Sequence, residues 1–311
     1  MLYRPLGRTG VKVSALCLGT VKFGKPTPDE ECYAIIDRAI DAGINIIDTA
    51  YVYGGSEDII GAALARNGKR DRVLLATKIQ PQANDRRTVI TQCEHSLQRL
   101  QTDVIDLLQL HRPAPWIPID ETLRALDDLV QAGKVRYIGT SGFKAWQITE
   151  AICVARELGL ARVVTEQCVY SLLSRWIEDE LVPMAETYGL ALLLWSPLGA
   201  GILTNRYTRA NPPAHAELDQ RCWQIIDELR AVAREKGRTA SQLALAWCLH
   251  QSDLMIPIAG PRTFAQLEDN LGAVDIELAP ADMQRLDAVS PPGWTAREHW
   301  LGLQFGVPHT L

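Results

Sequence analysis

Residues 73–111 read VLLATKIQPQANDRRTVITQCEHSLQRLQTDVIDLLQLH. The apolar run Val73–Ala76 leads into Lys78. Arg86–Leu100 then places its apolar residues at helical spacing, and a second apolar run, Ile105–Leu110, leads into His111. Short apolar runs bounded by polar residues are the mark of parallel strands buried on both faces. The segment therefore reads strand–helix–strand, and each strand delivers an ionisable residue at its end.

The same unit recurs outward in both directions. Further apolar runs are Val13–Leu18, Ile44–Ile47, Tyr137–Gly139, Val163–Thr165, Leu190–Trp195 and Met255–Ile258. Helical patterns fall between them over Asp29–Ala42, stopped by Gly43, and over Ile119–Ala132, Ala145–Leu158, Ile177–Tyr188 and Thr263–Leu271. Thr239 with Gln242 forms a capping box that opens a helix through Trp247. Eight alternations without a linker predict a (β/α)8 TIM barrel, and the absence of a G-x-G-x-x-G motif argues against a doubly wound dinucleotide fold. Leu2–Val13, turning at Arg8-Thr9-Gly10, reads as an N-terminal β-hairpin, Gly199–Leu218 as a long functional loop, and the segment after Pro280 as a C-terminal helix followed by an aromatic tail with Trp294, Trp300 and Phe305.

The chain has 311 residues, 47% hydrophobic and 22% charged, which suits a single domain over 1–311 with a self-sufficient core. A net charge of −5 without a basic run gives no electrostatic case for a nucleic-acid or anionic-membrane partner, and none is expected. Seven scattered cysteines without C-x-x-C read as reduced core thiols. No signal-like stretch opens MLYRPLGRTG and no apolar run reaches membrane length, so the expected location is cytoplasmic. No metal-ligand cluster or nucleophile elbow is present.

Barrel chemistry gathers where strands end at the C-terminal face. Those ends are Gly19-Thr20, Asp48, Lys78, His111, Ser141, Gln167, Trp195-Ser196 and Gly260, with Tyr53 just beyond Asp48. Taken singly they have plain readings: Asp48 as a helix cap, Lys78 as a solvated surface residue, His111 as a structural histidine, Tyr53 as a rim aromatic, Trp195 as core packing and Arg262 as a surface charge. Taken together, Asp48, Tyr53, Lys78 and His111 make a carbonyl-reducing set. A carbonyl that accepts hydride needs a proton donor and charge stabilisation. Lys78 is expected to lower the Tyr53 pKa and make it a tunable acid, Asp48 to hold Lys78, and His111 to orient the carbonyl oxygen.

Asp48-Thr49-Ala50-Tyr51-Val52-Tyr53-Gly54 with Ser56-Glu57, Thr77-Lys78, Leu110-His111, Ile138-Gly139-Thr140-Ser141 and Trp195-Ser196-Pro197-Leu198-Gly199 resemble, in order, the motifs of the aldo-keto reductases. Trp195 is similar to the branch that includes bacterial reductases and potassium-channel β subunits. The resemblance runs from about Tyr3 to the helix after Pro280. It implies an NADPH site in which Gly19 and Thr20 open the barrel mouth, Ser141 and Gln167 bind the carboxamide, and Trp195 stacks on the nicotinamide. Ser196, Leu198 and Gly201 cradle the pyrophosphate; Arg262 meets a 2′-phosphate, and Gln266, Asp269 and Asn270 the adenosine. Gly142 stands where an asparagine usually follows the serine, which removes one carboxamide contact, and Gln266 stands where some members carry a second arginine, which leaves NAD(H) open beside NADP(H). The partner is a small carbonyl or alcohol substrate. Alternatives are an NAD(P)-dependent sugar or alcohol dehydrogenase working oxidatively, or a cofactor-binding regulatory subunit similar to the channel β subunits, against which the short N-terminus counts. Trp116, Trp294 and Trp300 are candidates for the substrate mouth or for loop packing. Neither the substrate nor the oligomeric state is legible.

Overall fold

The computed structural model describes residues 1–296; Trp300 and Phe305 lie outside the described residues. The chain opens with β1 (Tyr3–Pro5) and β2 (Lys12–Ser14), an antiparallel hairpin that pairs Tyr3 with Ser14. Then follow β3 (Cys17–Gly19), α1 (Asp29–Asp41), β4 (Ile46–Asp48), α2 (Ser56–Asn67), β5 (Leu74–Lys78), α3 (Arg86–Leu100), β6 (Ile105–Leu110), α4 (Ile119–Gln131), β7 (Val135–Ser141), α5 (Ala145–Leu158) and β8 (Val163–Val169). The last portion holds α6 (Leu181–Tyr188), β9 (Ala191–Trp195), α7 (Gln220–Glu235), α8 (Ala240–Gln251), β10 (Met255–Ala259), α9 (Phe264–Leu271) and α10 (Pro280–Val289). Strands β3 to β10 are parallel and close into an eight-stranded barrel where β10 pairs with β3.

Side chains alternate across a strand, and here the two faces build two cores. Outward residues such as Leu75, Leu108, Ile138, Leu192 and Leu194 pack under the helices. Inward residues fill the barrel: Cys17, Ile46, Leu74, Ala76, Leu107, Leu193 and Ile256 form one cluster with Leu6 and Val13 of the hairpin. The hairpin thus plugs the end where the strands begin; Arg8 N donates to Gly189 O at 2.8 Å just ahead of β9. Continuing each inward row toward the strand ends turns apolar into polar. Ile46 gives way to Asp48, Ala76 to Lys78, and Leu107 to Gln109 and then His111. Apolar packing at the floor holds a polar layer at the opposite mouth.

The helices follow from their sequences. Helix α1 buries Cys32, Ile35, Ile36, Ala39 and Ile40, carries Asp29, Glu30 and Glu31 in its first turn, and ends before Gly43, whose φ is +92°. Helix α8 starts with the Thr239–Gln242 capping box and buries nearly every side.

Three expectations need correction. Val13–Leu18 is not one strand: Ser14 ends β2, and the barrel begins at Cys17. The helix expected over 177–188 is a 3-10 turn at Trp176–Glu178 followed by α6. Pro183 is the reason, because it has no N–H to donate to the carbonyl four residues back and is tolerated only in a first helical turn. Arg175 secures the break by bonding Glu178 at 2.7 Å and reaching Asp287 of α10 at 2.5 Å. Helices α2 and α7 have no counterpart among the patterns read above.

Candidate active site

Asp48 ends β4 and Lys78 ends the adjacent β5. Lys78 is fully buried, and its Nζ lies 2.8 and 2.7 Å from the two Asp48 carboxylate oxygens and 2.6 Å from the Thr49 carbonyl. The Asp48 Oδ1 also accepts from Gln167 Nε2 at 2.8 Å and from Gln109 Nε2 at 3.3 Å. A buried carboxylate is tolerable only when so satisfied. Burial works against the Lys78 ammonium, but Asp48 and Tyr53 outweigh it and hold its pKa above the ordinary lysine value.

Beyond β4, Thr49 N and Tyr51 N donate to Ala76 O and Lys78 O at 2.8 and 2.9 Å, which extends the pairing with β5. The chain then turns through Gly54 and Gly55, with φ of +43° and +93°, into α2. That turn sets the Tyr53 ring with its centroid 5.0 Å from Lys78 Nζ. His111 meets Tyr53 edge to face, with centroids 5.9 Å apart and planes at 78°. Burial, reinforced by Lys78 and Arg112, pushes the His111 pKa down to about 2, so the imidazole is neutral at working pH. Tyr53 departs from expectation. Burial raises its pKa and outweighs the downward pull of Lys78, so the phenol holds its proton more firmly than free tyrosine.

A cavity of about 540 Å³ opens over this group. Its wall brings together Gly19, Thr20, Asp48, Tyr53, His111, Ser141, Gln167, Trp195, Ser196, Leu198, Gly201, Arg262, Gln266, Asp269 and Asn270, every site residue expected from sequence except Lys78, which lies buried against Asp48. Past Trp195 the backbone is left-handed at Ser196, Gly199, Ala200 and Gly201, with φ of +56°, +55°, +54° and +91°. Turns of this kind can form anion-binding concavities, and here Gly199 N and Gly201 N donate within the turn to Ser196 O and Leu198 O at 2.9 and 3.0 Å, which fixes its shape. At the far end, Thr263 caps α9, and Gln266 Oε1 accepts from Arg262 N at 2.8 Å. The Asp269 carboxylate accepts from the Thr239 hydroxyl at 3.0 and 3.1 Å, tying the wall to α8. Trp116 and Trp294 are not part of the wall: Trp116 is exposed, and Trp294 packs against the outer core.

Residues 15–291 match the aldo/keto reductase family. The chain belongs to the aldo/keto reductase family. Its chemistry is therefore that of an NAD(P)H-dependent oxidoreductase of carbonyl and hydroxyl groups. It is 38% identical over 320 residues to a protein of Bacillus subtilis (strain 168) named uncharacterized oxidoreductase YrpG, an alignment that covers 94% of this chain and 97% of the relative. It is 34% identical over 316 residues to each of two proteins named probable voltage-gated potassium channel subunit beta, from Oryza sativa subsp. japonica and Arabidopsis thaliana; each alignment covers 93% of this chain and 96% of the relative.

In this aldo/keto reductase the sequence reading missed several wall residues. Arg112, Arg206 and Tyr207 line the cavity, and Gln109 lies beneath it. Arg112 had a signal, since it directly follows His111 at a strand end. Gln109 had a weaker one, as a polar residue two positions before His111 and so on the same face of the strand. Among the described residues no group of ligands could hold a metal ion, and no helix is long and apolar enough to cross a membrane.

Proposed function

We propose that this enzyme reduces aldehydes or ketones to alcohols with NADPH, with Tyr53 as the general acid. The observation that carries this reading is the Lys78–Asp48 pair buried against Tyr53 at the base of the cavity, with His111 edge-on beside it. The wall fits a dinucleotide: a half-buried indole at Trp195, a left-handed turn at 196–201, and a guanidinium at Arg262 beside a capped helix. Trp195 and Ser141 would hold the nicotinamide end, with Gln167 once its amide turns from Asp48. The 196–201 turn would hold the pyrophosphate, and Arg262 with Gln266 and Asn270 the adenosine and its 2′-phosphate. Bound there, the nicotinamide supplies the hydride.

The protein's share is to place a carbonyl oxygen between Tyr53 Oη and His111. Neutral His111 orients that oxygen by a hydrogen bond. Tyr53 gives up its proton as the oxygen becomes an alkoxide, and Lys78 stabilises the phenolate left behind. Asp48 keeps Lys78 charged. The functional unit is the barrel as one domain, acting in the cytoplasm on a small molecule. The protonated Tyr53 favours reduction near neutrality and predicts a fall in reduction rate at alkaline pH.

The test is Tyr53→Phe assayed for NADPH-dependent aldehyde turnover, with cofactor binding followed by tryptophan fluorescence. Turnover should fall by roughly 10²–10⁴-fold with NADPH binding retained. Retained turnover would remove Tyr53 from the mechanism, and an NADH preference would take Arg262 off the 2′-phosphate. The names of the plant relatives favour a second reading, a cofactor-bound regulatory subunit. Tight NADPH binding with negligible turnover across an aldehyde and ketone panel would select it.

A further inference from the structure

Two glutamines share one oxygen of Asp48. Gln167 Nε2 donates to Asp48 Oδ1 at 2.8 Å, and Gln109 Nε2 donates to the same oxygen at 3.3 Å. Gln167 Nε2 also donates to Gln109 Oε1, at 3.4 Å. Both side chains are buried, Gln109 completely. Gln167 belongs to the cavity wall and Gln109 lies beneath it, so only Gln167 is within reach of a nicotinamide carboxamide.

Gly139 gives Gln109 its room. It pairs with Gln109 across β6 and β7, and a Cβ there would meet Thr165 Oγ1 and stand 3.1 Å from Gln109 Cγ. The Thr165 hydroxyl of β8 therefore shares the space over Gly139 with the Gln109 side chain. It is fully buried and has no hydrogen-bond partner among the described residues. An idle buried hydroxyl is unfavourable, and its neighbour Gln109 is held at both ends only by long contacts, at 3.3 and 3.4 Å. The cluster is slack around Gln109 and tight around Gln167. That asymmetry matters to Asp48, whose carboxylate is buried against Lys78 and must keep its donors. When Gln167 turns to the cofactor, the shorter of the two amide bonds is withdrawn.

We propose that Gln109 is a positioning residue that exchanges places with Gln167: as Gln167 turns to the nicotinamide carboxamide, Gln109 closes on Asp48 Oδ1 and accepts the Thr165 hydroxyl on its own carbonyl. Cofactor binding then leaves the Asp48–Lys78 pair beneath Tyr53 with a full set of donors. The proposal rests on the placement of NADPH given above.

The test is a double-mutant cycle on NADPH affinity, read by tryptophan fluorescence in the full chain. Gln109→Met keeps the volume and removes the donor, and Gln167→Met removes the amide that turns. With Gln167 present, Gln109→Met should weaken NADPH binding about tenfold, the loss typical of a hydrogen bond to a charged group. In the Gln167→Met background the same change should weaken it by less than about twofold, since binding then withdraws nothing from Asp48. Adenosine 2′,5′-bisphosphate, which lacks the nicotinamide, should bind all of these proteins alike. Thr165→Val keeps the shape and removes the hydroxyl. It should weaken NADPH binding about two- to fivefold and hold or raise the urea midpoint of the free protein, where that hydroxyl is idle.

An equal loss in both backgrounds would make Gln109 a structural residue and overturn the proposal, as would a weaker hold of Gln109→Met on the bisphosphate. If Gln109→Met does not fold, Thr165→Val decides: a lowered urea midpoint with unchanged NADPH affinity overturns the exchange. NADPH affinity unchanged by Gln167→Met would take Gln167 off the carboxamide, and the cofactor placement would fail together with the proposal. A response to Gln167→Met without coupling to Gln109 sinks only the exchange.

Discussion

Lys78 has no solvent exposure, and three side chains, Lys78, Gln109 and Gln167, converge on the Asp48 carboxylate. The attraction inside such a pair offsets the desolvation of both charges, so removing one partner leaves the other charge buried and uncompensated. Lys78→Met should therefore lower stability by about 3–5 kcal/mol in urea denaturation and abolish turnover. Asp48→Asn with Lys78→Met should be less destabilised than the sum of the two single changes, because neither charge remains. Additive losses would mean that the pair is not the coupled unit drawn here. Asp48 and Lys78 were legible in the sequence because each ends an apolar run with a charge. Gln109 had only a weak signal, since a single amide inside a strand carries no period of its own. Its importance appears only when alternation brings Leu107, Gln109 and His111 onto one inward row.

At the scale of elements, the first turn of α9 bears on cofactor choice. Phe264 N donates to the Glu31 carboxylate of α1 at 2.6 Å, two residues from Arg262. A helix N-terminus favours anions, and in this protein a carboxylate already answers that field. A 2′-phosphate beside Arg262 would feel the Glu31 charge. Glu31→Gln keeps the acceptor and removes the charge, so NADPH affinity should rise about two- to fivefold relative to NADH. Parallel fluorescence titrations check this, and equal changes for both cofactors would disconnect Glu31 from the phosphate site. The sequence showed α9 and its cap, but not that α1 donates a carboxylate to it, because that contact spans 233 positions of chain. Of the elements not read correctly, α7 had a plain helical stripe in Cys222, Ile225, Ile226, Leu229, Val232 and Ala233 and was simply passed over, whereas two others have weak or interrupted local patterns. Pro183 breaks 177–188, and α2 buries a short stripe, Ile60, Ala63 and Leu64, beside Gly61, where a Cβ would stand 2.4 Å from Arg99 O.

For the whole molecule, two buried groups set opposite pH limits on stability. His111 has its pKa pushed from 6.5 to about 2 by burial, so the folded state resists a proton the unfolded chain accepts. Its contribution is complete above 6.5 and is lost as pH falls below that value. Glu166 runs the other way. Burial raises its carboxyl from 4.5 to about 8, even though Thr140 Oγ1 and Phe143 N donate to its oxygens at 2.5 and 3.1 Å. Between those values the folded protein binds a proton that the unfolded chain has released. Stability from this group is therefore full below 4.5 and declines as pH rises through 8. Glu166→Gln preserves an acceptor for Phe143 N, presents its amide to the Thr140 hydroxyl, and cannot ionise. Relative to the unaltered protein, this variant should gain stability progressively from pH 5 to pH 9, by a total on the order of 2–4 kcal/mol. Urea denaturation at several pH values measures the difference directly. A difference that stays flat would mean that Glu166 is ionised in the fold and that its hydrogen bonds from Thr140 and Phe143 outweigh its burial.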